Sequence, residues 1–329
     1  MFLLVLAAAA IQPQPGELKT FGDWTIGCDN IRACQAVALV PQGESRDDYL
    51  MLIVKRDAGP SARPVLTLST EKSLPGSFAL RIDGKPVLRI ARASLLPVPP
   101  ELADGRRATL THARGRTLAS ASLAGLAAAF LYMDERQGRL GTAGALRRKG
   151  PKPDSTVPAP PPLPRMVQPR PSPKPPRTIS PAAAARLIGP DRATCDYARG
   201  PVKPRAHRLS AGHSLVVVDH PCGNGAYSMW SSFFVVDESG RATLAAFDAV
   251  TGMNPDRLKT NGLVNADWNA RERRLASFAK GRGLGDCGTS QSYAWDGRRF
   301  RLANEAVMGE CRGSTDYITT WRAAVTTAR

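Results

Sequence analysis

The sequence of 329 residues is long enough for two domains of ordinary size, and 43% of its residues are hydrophobic, which is enough to form buried cores. It has 45 Lys and Arg against 28 Asp and Glu, a net charge of +17 that favours negatively charged partners. The codon usage of a GC-rich genome also enriches Arg, so charge alone does not establish a partner. Aromatic residues make up only 6%, and none forms a stacking motif among the basic residues, so we expect no nucleic acid partner.

The chain begins with the uninterrupted apolar run FLLVLAAAAI at residues 2–11. A membrane-spanning helix needs about 20 apolar residues. The run and its alanine-rich end are typical of a secretory signal, so we predict a signal peptide and leader at residues 1–16. The usual basic segment before the run is missing, which leaves open whether the true start lies upstream. We expect no transmembrane segment after signal removal and a periplasmic or secreted location.

The number of cysteines agrees with export. An even number of cysteines in an exported chain predicts disulfides. The six candidates are Cys28, Cys34, Cys195, Cys222, Cys287 and Cys311. A hairpin can bridge the first two, which are close in sequence. The last four allow three pairings, of which we favour Cys195 with Cys222 and Cys287 with Cys311, because each pair is close in sequence.

The region at 17–149 is predicted to be an N-terminal β-rich domain. It contains short β-rich runs such as WTIGC and YLMLIVKR, separated by turn residues. An Asp-Gly turn in FALRIDGKPVLRI predicts a hairpin. Leu123, Leu126, Ala127 and Leu131 then recur at helical spacing, which predicts one late amphipathic helix packed on a sheet or sandwich.

A basic proline-rich linker is predicted at residues 150–178. Residues 151–177 contain 12 of the 28 prolines and no aromatic residue. Such a composition favours an extended, disordered polyproline segment. Residues 147–177 also contain eight basic residues and one acid, so the linker is either a partner-binding segment or a spacer that its charge keeps solvated.

A C-terminal β-rich domain with disulfides is predicted at 179–329. Its first element is a helix, with Ser180 as the N-cap and Pro181 at the first helical position. Further β-rich runs follow, among them SLVVVDH and SYAWDGRRFRL. The fold class is therefore mainly β (α+β), with two antiparallel β-rich domains.

The glycine-rich stretch GRGLGDCG at residues 281–288 is the most conspicuous motif. It matches no phosphate-binding loop, because a β-rich run rather than a helix follows it. We interpret it as a tight turn in which Arg282 pairs with Asp286 and Cys287 forms a disulfide. The alternative is a loop that contacts a ligand, with Arg282, Asp286, Trp295 and Arg312 as the candidate contacts.

No set of residues indicates a reaction. Asp219, His220 and Cys222 are neighbours, but a paired cysteine has no thiolate to act as a nucleophile. The histidines lack the spacing of zinc ligands. We therefore name no catalytic residue, metal site or cofactor.

Several motifs together resemble a known family. FGDWTIGCDNIRACQA, SLAGLAAAFLYMDERQGRLGTAGAL, KGRGLGDCGTSQSYAWDGRRFRL and MGECRG are similar to the bacterial family called domain of unknown function 1176. The resemblance implies an exported envelope protein of Gram-negative type and supplies no catalytic residue. The N-terminal domain alone also resembles the invasion-associated locus B family, which implies an accessory role at the envelope or a host surface.

These observations favour a non-catalytic binding or structural module of the cell envelope. Its partner would be anionic lipid, lipopolysaccharide or wall polymer. One alternative is a hydrolase of an envelope polymer with carboxylates in the C-terminal domain. Another is a secreted inhibitor that presents the GRGLGDCG loop. The sequence does not determine the oligomeric state.

Overall fold

The structure of the protein is a computed structural model that describes residues 12–71, 77–91, 95–112, 115–197, 200–248 and 262–328. The apolar run at 2–11, on which the signal peptide prediction rests, lies outside these ranges. The described residues form a mainly β structure with several antiparallel sheets and few helices, which confirms the predicted fold class.

The described elements of the first half, in chain order, are the strands Leu18–Phe21 (β1), Trp24–Cys28 (β2), Cys34–Ala38 (β3), Met51–Arg56 (β4), Val65–Ser69 (β5), Phe78–Ile82 (β6), Lys85–Ile90 (β7) and Leu96–Pro97 (β8), a short 3-10 helix Pro100–Ala103, the strands Arg107–His112 (β9) and Thr117–Ser122 (β10), and the helix Leu126–Arg136 (α1). The order of strands is β1-β2-β3-β4-β5-β8 in one sheet and β10-β9-β6-β7 in the other. Buried residues of both sheets and of α1 share one hydrophobic core.

The predicted Asp-Gly hairpin connects β6 and β7. Asp83 and Gly84 both have positive φ, +47° and +82°. Two consecutive residues with positive φ match the right-handed twist of paired strands, which is why Asp-Gly turns favour hairpins. The sequence signal and the local geometry agree here.

The predicted amphipathic helix is α1, but its buried face differs in part from the expected one. Leu126 is buried as predicted, whereas Leu131 is 41% exposed. Phe130 and Met133 are buried instead and contribute to the core. The face was misplaced because Leu123 precedes the first helical residue, so it does not share the helical period.

The elements after α1 are a short 3-10 helix Asp154–Thr156, the strand Arg165–Gln168 (β11), the helices Pro181–Ile188 (α2) and Pro190–Ala193 (α3), and the strands Pro204–Ser210 (β12), His213–Asp219 (β13), Trp230–Val236 (β14), Ala242–Leu244 (β15), Gly262–Val264 (β16), Asp267–Asn269 (β17), Arg274–Lys280 (β18), Gly288–Trp295 (β19), Phe300–Met308 (β20), Ile318–Arg322 (β21) and Ala324–Thr327 (β22). One sheet has the order β12-β13-β14-β15, with β16 also on β14, and a second has the order β17-β18-β19-β20-β21.

These elements form three layers. Leu215 and Val217 of β13 pack with buried residues of the β17–β21 sheet. The alternate residues Val216 and Val218 pack against α2. Because successive residues of a strand point to opposite faces, a strand covered on both faces is apolar throughout. The uninterrupted LVVV of β13 is explained in this way.

Ser180 caps α2 as predicted, accepting a hydrogen bond from Ala183 N at 3.2 Å.

The proline-rich tract, residues 150–178, is extended as expected but is packed on the protein rather than disordered. Residues Arg165–Gln168 pair in parallel with Ala324–Thr327. Val157 is only 3% exposed, and Asp154 accepts a hydrogen bond from Gly144 N at 2.8 Å. The expectation of disorder failed because residues 165–168 contain no proline, so their N–H groups can pair with a strand that is distant in sequence.

A buried polar network holds the segment after α1. Asp134 is fully buried and accepts hydrogen bonds from Leu146 N and Arg147 N, both at 2.8 Å. Its Oδ1 also lies 3.7 Å from a guanidinium nitrogen of Arg56, which is likewise buried. A buried charge is tolerated only when it is paired and hydrogen-bonded.

We predict that Asp134→Asn lowers the free energy of unfolding by about 3 kcal/mol, because it leaves Arg56 buried without its countercharge. Chemical denaturation measures the change. The control is Asp104→Asn, which removes a carboxylate from the exposed ion pair with Arg147 and should cost less than about 1 kcal/mol. Equal losses in the two variants would contradict the prediction.

Candidate functional site

The GRGLGDCG loop is organised around a buried carboxylate. Asp286 is fully buried and accepts hydrogen bonds from Arg282, with Nε at 2.7 Å, and from Gly313 N at 2.8 Å. The disulfide between Cys287 and Cys311 brings the two segments together. The loop therefore brings Arg282 and Asp286 together as predicted and uses Asp286 to fix the backbone of a neighbouring segment.

The electrostatics of the GRGLGDCG loop agree with a structural role for the Asp286 carboxylate. The hydrogen bond from Arg282 holds the pKa of Asp286 below its usual value, despite burial. The neighbouring Tyr317 donates a hydrogen bond to Gly285 O at 3.1 Å. Burial, together with the charge of Asp286, raises the pKa of Tyr317 to about 12. Both groups thus keep one protonation state at neutral pH.

Arg312 connects the region around the Cys287–Cys311 disulfide to the first half of the chain. Its guanidinium donates to Val40 O and to Gly22 O, each at 2.9 Å, and also to the Asp23 carboxylate. Val40 N in turn donates to Arg312 O at 2.9 Å. Arg312 is therefore placed between the two halves, where its hydrogen-bonding groups already have partners.

The motifs that carry the family resemblance meet at this junction. Trp24 Nε1 donates to Ser122 O at 2.9 Å, so the Gly-Asp-Trp strand contacts the Ser-Leu-Ala-Gly turn. Gly125, at φ +97°, has no room for a side chain, since a Cβ would lie 1.7 Å from Phe21 O. These motifs are thus explained by packing at one place in the fold.

Trp295 lies apart from the other candidate contacts. It is 4% exposed and belongs to the core between the two C-terminal sheets, with its ring 5.2 Å from that of Phe300. The structure brings Arg282 and Asp286 together and Arg312 next to them, and it does not bring Trp295 to the same place.

A second feature is the cavity that we call the basic groove, of about 120 Å³, between the proline-rich tract and the hairpin of β12 and β13. The basic side chains that line it are Lys174, Arg177 and Arg208, all exposed, and the described lining includes one acid, Glu238. Arg208 Nε donates to Lys174 O at 3.1 Å, and Arg177 N donates to Ser214 Oγ at 2.9 Å. These bonds hold the backbone of the tract at Lys174 and Arg177 against the hairpin and hold the Arg208 guanidinium beside it.

The chemistry of the basic groove is that of an anion site. A volume of about 120 Å³ exceeds the roughly 10–15 Å³ that one water molecule needs several times over, which leaves room for one phosphate or carboxylate group. Ser210 Oγ and His213 Nδ1, from residues that also line the groove, are 3.1 Å apart and supply further polar groups. Arg and Lys are the residues that proteins use to bind such groups.

All six cysteines form disulfides: Cys28 with Cys34, Cys195 with Cys222, and Cys287 with Cys311. These are the pairs favoured by sequence proximity. Because none is free, no cysteine can act as a thiolate nucleophile, and the neighbours His220 and Cys222 form no catalytic pair. In the described part of the chain, no three His, Cys, Asp or Glu side chains cluster as metal ligands.

The structure defines a disulfide-bonded, β-rich protein with a packed basic tract, and three disulfides fit an oxidising, exported environment. Among the described helices, none has the length and apolarity to span a membrane. The chain belongs to the family of proteins of unknown function DUF1176, whose model matches residues 18–327.

The uncharacterized protein YpfG of Escherichia coli (strain K12) is similar along almost the whole chain. The two are 27% identical over 353 aligned residues, which cover 97% of this chain and 96% of the relative. No solved structure matches the chain.

Sequence reasoning missed the basic groove as a site. The basic composition of the tract was the available signal. The positions of Lys174 and Arg177 relative to Arg208 depend on contacts between segments about 34 residues apart, a separation that the bond from Arg208 to Lys174 spans. No local sequence motif indicates such a contact.

His220 is a buried titratable group beside the Cys195–Cys222 disulfide. It is 6% exposed, and its Nε2 lies 2.8 Å from Ser232 Oγ. Burial, with a smaller contribution from the charge of Arg192, lowers its pKa to about 4. The unfolded chain therefore binds a proton below about pH 6.5 that the folded chain does not bind. Stability is complete above that pH and is lost as the pH falls towards 4.

We predict that His220 contributes a loss of about 2 kcal/mol in the free energy of unfolding between pH 7 and pH 5. His220→Gln should remove this contribution, as measured by urea denaturation at the two pH values. Ser232→Ala is the control, because it removes the hydrogen bond and keeps the titrating group, so its pH dependence should match the wild type. An unchanged pH dependence in His220→Gln would refute the assignment.

Proposed function

We propose that this protein is an exported, non-catalytic binding module of the cell envelope, and that its basic groove binds phosphate or carboxylate groups of an anionic envelope component. Anionic lipid, lipopolysaccharide and wall polymer all carry such groups. The observation that carries the proposal is the convergence of Lys174, Arg177 and Arg208 on one cavity whose described lining has a single acid.

The packing of the proline-rich tract supports this role. Because the tract is paired through β11 and held by Ser214 and Arg208, its basic residues are preorganised rather than spread over a mobile segment. Preorganisation lowers the entropy cost of binding. In this proposal the tract at 150–178 joins an N-terminal domain at 17–149 to a C-terminal domain at 179–329 and supplies part of the binding surface.

Export from the cytoplasm is part of the same proposal. The apolar run at 2–11 favours a signal peptide and leader at 1–16, and the three disulfides favour the periplasm or the exterior. The resemblance of the N-terminal domain to the invasion-associated locus B family rests on the Gly-Asp-Trp strand and the Cys28–Cys34 pair, and it suits an envelope accessory role.

The other two candidate functions have less support. A hydrolase with paired carboxylates needs two acids in one cavity, but the basic groove has one acid among its described lining residues. An inhibitor that presents the GRGLGDCG loop would use Arg282 and Leu284, which are exposed, and could not use the buried Asp286 as a contact. Neither has an observation in its favour comparable to the groove.

Peptide mass mapping of the protein from a periplasmic extract, under non-reducing conditions, tests the exported location. We expect the three disulfides and an N-terminus after the apolar run. A protein recovered only from the cytoplasm, with free thiols, would contradict the exported location.

The test of the groove is a triple variant, Lys174→Gln, Arg177→Gln and Arg208→Gln. Each basic residue near an anionic surface contributes about 1 kcal/mol, so binding to vesicles that contain phosphatidylglycerol should weaken by at least about tenfold. The dependence of the binding constant on salt should also become shallower, because fewer charges are screened. Parallel titrations with lipopolysaccharide and with wall polymer distinguish the sources of the anionic group.

The matched control is Lys85→Gln, Arg89→Gln and Arg116→Gln, three exposed basic residues of the first half. It removes the same charge from another surface and should retain most of the binding. If both triple variants weaken binding equally, the net charge rather than the groove is responsible. Wild-type protein that binds none of the three anionic partners would overturn the proposed function.

A further inference from the structure

A second cavity, of about 280 Å³, lies where the two halves of the chain meet. We call it the inter-sheet cleft, and the polar side chains that line it are Gln35, Lys55, Asp57, Asn304, Thr319 and Arg322. The first three belong to the first half and the last three to the second. Ligand sites occur preferentially at such interfaces. The inter-sheet cleft and the basic groove have no described lining residue in common.

Strand pairing gives the inter-sheet cleft two opposed walls. Gln35 of β3 is paired with Lys55 of β4. Asn304 of β20 is paired with Arg322 of β21. Side chains of directly paired residues lie on the same face of a sheet. Each wall therefore presents a cationic side chain next to an amide side chain on a pair of hydrogen-bonded strands.

The polar groups of the inter-sheet cleft have unused hydrogen-bonding capacity. Gln35 is only 9% exposed, yet its amide makes no hydrogen bond with any described residue. The side chains of Lys55, Asp57 and Asn304 likewise have no partner within the described part of the chain. The Gln35 amide is not sealed from solvent and the other three side chains are exposed, so all four remain available to a ligand in the cleft.

One of the charged side chains that line the inter-sheet cleft, Arg322, is already paired within the protein. The Arg322 guanidinium is held by the buried Asp29 carboxylate, and Arg322 N donates to Asn30 Oδ1 at 2.8 Å. Among the described lining residues, one charge of each sign thus remains for a ligand, the Lys55 ammonium and the Asp57 carboxylate. They are two residues apart, at the end of β4 and just after it.

We propose that the inter-sheet cleft binds a small zwitterion, an amino acid or a dipeptide, whose carboxylate faces Lys55 and whose ammonium faces Asp57. The amides of Gln35 and Asn304 supply donors and acceptors for the groups between the two charges. The volume is below the range of about 300–1,000 Å³ that is typical of drug-sized ligands, which suits such a molecule. None of the described lining residues is aromatic, so the inter-sheet cleft lacks the stacking surface that sugars commonly use.

The experiment is calorimetric titration of the full-length protein with L-alanyl-L-alanine, N-acetyl-L-alanyl-L-alanine and L-alanyl-L-alanine amide. Acetylation removes the ammonium of the dipeptide, and amidation removes the carboxylate. We expect the dipeptide to bind and each capped form to bind about tenfold more weakly, since a lost charged contact costs about 1.4 kcal/mol or more.

Two variants locate the contacts. In Lys55→Met the dipeptide and its amide should bind equally, because the partner of the carboxylate is gone. In Asp57→Asn the dipeptide and its acetylated form should bind equally. Lys85→Met and Asp47→Asn, exposed residues outside the inter-sheet cleft, are the controls and should preserve both differences.

The proposal is overturned if the dipeptide does not bind at millimolar concentration, if the capped forms bind as well as the dipeptide, or if the controls abolish the discrimination. Circular dichroism of each variant checks that it is folded, which is expected because Lys55 and Asp57 are exposed. Vesicle binding by the basic groove should be unchanged in Lys55→Met, so failure of one site leaves the other independently testable.

Discussion

The Asp286 carboxylate fixes the point at which the two halves of the chain meet. Fully buried, it is neutralised by Arg282 and binds Gly313 N, while the adjacent disulfide joins Cys287 to Cys311. The backbone held in this way directs Arg312 onto carbonyl groups of the first half. Removing one partner of a buried, hydrogen-bonded charge is strongly destabilising, so the contact between the two halves depends on this carboxylate.

The two cavities depend on different contacts of the fold. The inter-sheet cleft has one wall from each half, so its shape depends on how firmly β21 is held against β2 and β3. The pair between Arg322 and Asp29 fixes one side of it. The basic groove depends instead on the tract, which β11 attaches to the last strand of the chain. The two cavities are thus built on different contacts and carry different charge patterns.

The family resemblance has a structural explanation in these terms. The motifs that carried it are the Gly-Asp-Trp strand, the turn before α1, the GRGLGDCG loop and the segment around Arg312. They are distant in sequence and adjacent in space, and their residues use backbone carbonyls, tight glycine turns and buried charges to pack together. Such a junction requires specific residues for shape, which accounts for conspicuous motifs that indicate no reaction.

The sequence by itself determined the β-rich class, the Asp83-Gly84 hairpin and the Ser180 cap of α2, because each depends on alternation or turn chemistry along the chain. It favoured the observed cysteine pairs by proximity but left three pairings of the last four cysteines open. Only the tertiary structure decided that the proline-rich tract packs, that Trp295 is a core residue, and that Gln35 lines a cleft. Each of these depends on partners tens to hundreds of residues away. Local patterns record the conformation of a segment, whereas its partners are set by the packing of the whole chain.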